Sequence, residues 1–308
     1  MNIASAYMDL VRPKNLAIIA LTQWVLYSKI LLPFVPNLSL DYLHFLLLVF
    51  VTICISGSGF IINDIFDHSF DILNKPQKSY IPHHITVNQA WIYYYLVLFL
   101  GAVVAVYLAF YINNIPLFLL YPSAVLLLYL YSKYWKNSVL IGNIVVSSFI
   151  AFVAGIVWFA ERNAWSVMDN APEKSLVAEI FIVYMCLSFG VNLIREVVKD
   201  MEDISGDRAA NLKTLPIVHG EKTTRKVIRI LTTTLIVFIC IWLLKSKLIN
   251  LHVAMYFLIF IVSPLIWMMN HLLEAQPKII ISKISRTLKW VLVAGLGGVF
   301  IITSYYGG

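Results

Sequence analysis

The chain has 308 residues, of which 60% are hydrophobic and 13% charged, with a net charge of +7 and a mean hydropathy of +0.83. A soluble domain carries about 25% charged residues, so a fraction half as large excludes the soluble classes and leaves an integral membrane protein. Cys54, Cys186 and Cys240 lie in apolar runs at no metal-ligand spacing, which excludes a disulfide framework or a thiol-bound metal.

Taken in chain order, segments long enough to cross a bilayer fall at about 15–34, 43–63, 89–112, 115–131, 138–160, 177–195, 226–244, 251–273 and 288–306. The fold class is therefore an all-α integral membrane protein with nine transmembrane helices. Only "NNIP" separates the third and fourth spans, which predicts a tight helical hairpin. With the N-terminus in the cytoplasm, 18 of the 23 Lys and Arg residues fall on the cytoplasmic side, the bias that the positive-inside rule demands. No stretch is long enough for a soluble domain, and the longest polar connection, about 196–225, is too short for its own core. Residues 1–308 read as a single membrane domain of two similar halves.

The acids are as uneven as the bases. Of 16 Asp and Glu residues, three lie in 63–71 and five in 196–207, after the second and the sixth span and so on one side of the membrane. Asp64, Asp67 and Asp71 stand at i, i+3 and i+7, as do Asp200, Asp203 and Asp207; on a helix each trio fills an arc of roughly 60°. Three carboxylates stacked at bilayer depth cost about 2.5–3.5 kcal/mol each, so something positive must offset them. Mg²⁺ fits: it takes oxygen ligands, keeps waters, and is typically held by one or two carboxylates together with substrate phosphates. Two facing trios would clamp Mg²⁺ on a diphosphate whose other end is hydrocarbon.

Bases and aromatics flank both patches. Lys75 and Lys78 follow the first trio, Tyr131, Lys133 and Lys136 end the fourth span, and Arg195, Lys199 and Lys213 frame the second trio. Each alone satisfies the positive-inside bias; together they suit contacts to a leaving diphosphate. A solvated helix end explains one trio but not two. A cation-coupled transporter needs acids deep in the spans and paired Gly/Pro breaks, whereas Pro264 is the main mid-span breaker and has no evident partner. A phosphatidyl-alcohol transferase also uses Asp clusters, but its D-G-x-x-A-R…G-x-x-x-D-x-x-x-D pattern is absent.

The stretches "NDIFDHSFDILNKPQK" and "REVVKDMEDISGDRAANLKTLPIVHG", with "RPKN" at 12–15 and "YSKYWKNSVLIGN" at 131–143, resemble the signatures of the UbiA-type intramembrane prenyltransferases over most of the chain. That resemblance implies nine helices around a cavity open to lipid, with both Asp motifs on the cytoplasmic side. It implies an enzyme in which Mg²⁺ on Asp64, Asp67, Asp71, Asp200, Asp203 and Asp207 holds an isoprenyl diphosphate. Arg12, Asn15, Asn63, Lys75, Lys78, Lys133, Lys136, Arg195, Lys199 and Lys213 would support that substrate. Metal and bases would let the allylic C–O bond ionise, with the Tyr131 face stabilising the cation. Where many members read R-P-I-P-S-G, this chain has "KSYIPHHIT", so Lys78 offers a point charge in place of a bidentate fork.

Within the family the second motif and "LIGN" look most like the branch that makes digeranylgeranylglyceryl phosphate. The implied reaction is transfer of a geranylgeranyl-sized chain to geranylgeranylglyceryl phosphate, with Asp203 or Asp207 as the base for the acceptor hydroxyl. An aromatic quinone precursor, such as 4-hydroxybenzoate or dihydroxynaphthoate, is the alternative acceptor. Membrane lipids are the expected partners, and nucleic acid is not one.

Overall fold

The computed structural model describes residues 3–74, 80–81, 83–168 and 172–306, and among these it is helical throughout with no strand. Among the described residues nine helices are long and apolar enough to cross a membrane: α1 Pro13–Phe34, α2 Tyr42–Asn74, α3 Val87–Tyr111, α4 Ile115–Lys133, α5 Ile141–Ala160, α6 Pro172–Glu202, α7 Leu215–Lys245, α8 Leu251–His271 and α9 Lys278–Tyr306. The protein is a multi-pass integral membrane protein. Its helices outrun the apolar runs where a polar face continues the helix. At 33 residues, α2 is ~50 Å long against a hydrocarbon core of about 30 Å, so its acidic last turns stand at the edge of that core.

Two compact units divide the chain: unit 1 comprises Met1–Trp24, Leu38–Lys136 and Phe159–Asn163, and unit 2 comprises Val25–Asn37, Asn137–Trp158 and Ala164–Gly308. In unit 1, α2 packs on α3 and α4, and α3 packs on α4 across the short turn. That turn is the expected hairpin, closed by Asn113 in the left-handed region at φ 56, where asparagine is tolerated better than most residues. A capping box starts α3, since Thr86 accepts the Gln89 N–H while the Gln89 side chain takes the Thr86 N–H.

At the opposite end of unit 1, the fully buried Glu161 accepts the Ser39 N–H at 2.6 Å and the Leu40 N–H at 3.0 Å. Burial pushes the Glu161 carboxyl above the usual glutamate range. Beside this lock, His44 bridges Asp41 (2.8 Å) and the Tyr107 hydroxyl (3.1 Å). The Asp41 carboxyl is held below its ordinary range by the His44 backbone N–H and imidazole.

Unit 2 is built on α6, which packs against α7 and α9. Near the end of α7, the Trp242 indole N–H donates to Glu179 at 2.8 Å, which satisfies one of the few acids within the spans. The structure corrects the expectation that Pro264 has no counterpart. A five-residue π-turn, Leu258–Val262, precedes it, and an identical turn, Tyr27–Leu31, precedes Pro33 in α1. Each proline lacks an N–H and would press on the carbonyl four residues back; the wider turn relieves that clash. Helix resumes directly after each, so these are local bulges and not the unwound breaks of a transporter. In α7, Gly220 adopts φ 78, ψ 161, a region essentially confined to glycine, and the membrane-crossing part begins beyond it.

Candidate active site

The first acidic motif belongs to unit 1. One face of α2 carries Ile61, Ile62 and Ile65, buried with Ala6, Leu10, Ile81, Ile85, Ala90 and Tyr94. At about 100° per residue, Asn63, Asp64 and Asp67 therefore turn to the other face. Asp64 accepts from the Arg12 guanidinium at 2.6 Å. Arg12 sits at the turn into α1 with φ 54, and its guanidinium lies 4.9 Å over the Phe60 ring, one turn below Asp64 on the same face. The Asn15 N–H donates to the Arg12 carbonyl at 2.8 Å and closes this turn.

Asp67 forms an ion pair with Lys136 and accepts the Asn63 side-chain amide at 2.9 Å. The Asn63 side-chain oxygen is buried and has no hydrogen-bond partner among the described residues. Burial, with Asp9 and Asp64 nearby, holds the Tyr80 hydroxyl above the ordinary tyrosine range, which reports the negative field on this side.

Other expected residues of unit 1 are placed differently. The Lys133 amine lies 3.4 Å from the Tyr129 hydroxyl and over the Tyr129 and Tyr134 rings, 5.6 and 5.2 Å from their centroids. Tyr131 is half-buried on the last turn of α4. Asp71 stands on α2, but its side chain, like Lys75 and Lys78, lies outside the described residues.

The second motif belongs to unit 2, and here the expectation of one continuous helical face is corrected. The polar face of α6 carries Arg195, Glu196, Lys199 and Asp200, while Ile194, Val197, Val198 and Met201 are buried. The helix ends at Glu202; Asp203 has φ −101, ψ 11, and Asp207 stands on a separate short helix, Ile204–Ala209. The backbone still chains them, with the Asp203 N–H on the Lys199 carbonyl and the Asp207 N–H on the Asp203 carbonyl, both at 2.9 Å. Asn211 at φ 52 turns the chain back, where the Leu212 N–H reaches the Asp207 carbonyl at 2.9 Å and the Thr214 hydroxyl donates to the Asp207 carboxylate at 3.0 Å. Lys213 contributes its backbone N–H to the Asn137 side chain at 2.6 Å, and its own side chain is exposed.

Three partners escaped the sequence reading. Glu196 pairs with Arg195 at 2.7 Å and with Lys199 at 3.5 Å; i, i+3 spacing could have shown the second pairing but not the first. Thr214 on Asp207 could have been guessed from "KTLP". Asn143, which donates to Asp200 at 2.8 Å, ends the "LIGN" signature, but it is 57 residues from its partner and nothing in the stretch points to that acid.

These residues fit a hard cation. All the donors are oxygens, and beside Asp67 Asn63 keeps a buried side-chain oxygen without a partner among the described residues. Among the described residues no three His, Cys, Asp or Glu side chains converge to hold a metal by themselves. Mg²⁺ typically fills its octahedron with water and phosphate oxygens more than with a closed protein cage.

The profile of the UbiA prenyltransferase family matches residues 29–305 of this chain. A digeranylgeranylglyceryl phosphate synthase from Methanobrevibacter smithii is 28% identical over 305 residues, 96% of this chain and 99% of that one. The synthase of the same name from Methanopyrus kandleri is 32% identical over 236 residues, 75% of this chain and 76% of that one. Among solved structures, one of a digeranylgeranylglyceryl phosphate synthase in membranes superposes with a TM-score of 0.67 at 26% identity, covering 97% of this chain and 99% of that one. A UbiA homolog from Archaeoglobus fulgidus bound to GPP and Mg²⁺ superposes with a TM-score of 0.60 at 18% identity, covering 97% and 99%, and so shows the likeness of fold.

Proposed function

The chain belongs to the UbiA prenyltransferase family, and from that premise we propose that it transfers a geranylgeranyl group from its diphosphate to the free hydroxyl of geranylgeranylglyceryl phosphate. The observation that carries the acceptor assignment is the match, over 96% of this chain, to a protein named for the product of that reaction. The 18 Lys and Arg residues on the side of both acidic motifs favour a cytoplasmic active site. On this reading residues 1–308 act as one catalytic domain.

When bound, Mg²⁺ supplies the positive charge that makes diphosphate a good leaving group. Asp64, Asp67 and Asp71 of the first motif and Asp200, Asp203 and Asp207 of the second would hold it, with the Asn63 side-chain oxygen as a further donor. Arg12, Lys136, Arg195 and Lys199 would bind phosphate oxygens, joined by Lys75, Lys78 and Lys213. The allylic C1–O bond breaks with its electron pair leaving on the diphosphate, and the Tyr131 face steadies the cation. The acceptor hydroxyl oxygen then bonds to C1 and gives its proton to the carboxylate of Asp203 or Asp207. Thr214 holds the Asp207 carboxylate in place for that transfer.

Purified protein in detergent, given labelled geranylgeranyl diphosphate and a panel of acceptors, tests this reading. Labelled digeranylgeranylglyceryl phosphate is the expected product. Label on 4-hydroxybenzoate or dihydroxynaphthoate and none on the glycerol ether would overturn the acceptor assignment.

A further inference from the structure

Two hydrogen-bonded rungs join α5 and α6 inside unit 2. The deeper one is wholly buried: the Asn192 amide donates to the Ser147 hydroxyl at 3.2 Å, with Asn192 3% exposed and Ser147 0%. Ser147 in turn donates to the Asn143 carbonyl at 2.6 Å. One turn further along α5, the Asn143 amide donates to the Asp200 carboxylate at 2.8 Å. A polar ladder thus runs from the membrane interior to the second acidic motif. Breaking its buried rung leaves an unsatisfied polar group, which costs about 1–3 kcal/mol, so the ladder fixes how α5 and α6 lie against each other at this level.

The upper rung differs from the contacts around the first motif. There Asp64 is held by Arg12 and Asp67 by Lys136, both cations. Asn143 is a neutral donor: it orients Asp200 without cancelling its charge. A carboxylate already oriented by a neutral amide loses less rotamer freedom when a divalent cation binds.

We propose that Asn143, steadied by Ser147 and Asn192, is the positioning residue that presents Asp200 to the metal and so sets metal affinity. This rests on the reading above, in which Asp200 is a metal ligand. Removing an outer partner of a ligating carboxylate typically costs about 10–100-fold in metal affinity, and that is the effect assigned to Asn143.

The test is Mn²⁺ binding to the purified full chain, followed by electron paramagnetic resonance in the presence of a non-ionising geranylgeranyl thiodiphosphate. Thermal stability and the Mg²⁺ dependence of transfer are measured alongside. Asn143→Ala is expected to weaken Mn²⁺ binding about 10–100-fold and to raise half-saturating Mg²⁺ in parallel, while turnover at saturating Mg²⁺ stays within about threefold. Asn143→Ser keeps a shorter donor and is expected to fall between alanine and wild type; it carries the test if the alanine variant does not fold. If both Asn143 variants lower the melting temperature yet bind Mn²⁺ like wild type, while Asp200→Ala does not bind, the positioning role is overturned and the metal site stands. If Asp200→Ala itself binds Mn²⁺ like wild type, the underlying reading fails and this inference with it.

Discussion

The two acidic motifs share one spacing in sequence and differ in how the chain holds them. In unit 1, Asp64 and Asp67 ride a straight helix that continues to Asn74, and cations pair with both. In unit 2 the helix stops at Glu202, Asp203 forms the corner and Asp207 stands on a new helix, with neutral donors on Asp200 and Asp207. Equal spacing therefore does not make equal sites. The first motif has built-in counter-charge on Asp64 and Asp67, whereas Asp200 and Asp207 of the second accept from a neutral amide and a hydroxyl.

The largest expected effect tests whether both halves serve the metal. Asp67→Ala and Asp200→Ala are each expected to lower transfer by more than about 10²-fold, beyond what loss of an outer partner produces. Full Mg²⁺-dependent turnover in either variant removes that half from the site. Next comes the contrast between two lysines at the end of α4. Lys136→Ala, which strips the cation from Asp67, is expected to cost about 10–100-fold. Lys133→Ala, whose amine lies on tyrosine rings, is expected to cost less than about threefold, as for a surface substitution; equal losses would erase the distinction drawn from the structure.

Glu196→Gln sharpens the description of unit 2. It weakens the charge-assisted hold on Arg195 and Lys199, worth about 1.5–3 kcal/mol, and is expected to raise KM for the prenyl diphosphate about tenfold with kcat little changed. A drop in kcat at constant KM would mean that Glu196 acts on the chemical step instead. The smallest effect lies away from both motifs. Because burial raises the Glu161 carboxyl, the folded protein holds that proton more tightly than the unfolded chain. The resulting stability is present below the ordinary glutamate range and is lost as pH rises through the folded value. The melting temperature of wild type minus that of Glu161→Gln is expected to fall by on the order of 2 °C from pH 4 to pH 7, measured by differential scanning fluorimetry; a pH-independent difference would contradict the assignment.

How much of this was legible in the sequence follows from which forces are local. Apolar runs fix the spans, because each crossing needs its own stretch of hydrocarbon-compatible residues, and the left-handed Asn113 is readable in "NNIP". The polar extensions of α2, α7 and α9 were not legible from hydropathy: they are held by interleaved apolar residues, such as Ile61, Ile62 and Ile65, among the acids. The break at Asp203 was hidden because no glycine or proline marks it, Gly206 lying three residues on. Pro33 was passed over at the end of its span, although its context matches that of Pro264. The acids declare themselves by spacing and Arg12 and Lys136 by their familial stretches, but which acid each of these and Asn143 holds comes only from the fold.

The central claim is that carboxylates at these positions serve a metal-bound prenyl diphosphate, and one measurement reaches it most directly. Transfer from labelled geranylgeranyl diphosphate is followed in wild type, Asp67→Ala and Asp200→Ala, each with Mg²⁺ and with EDTA. The account predicts product only in wild type with Mg²⁺. Transfer by wild type in EDTA at the Mg²⁺ rate would contradict it.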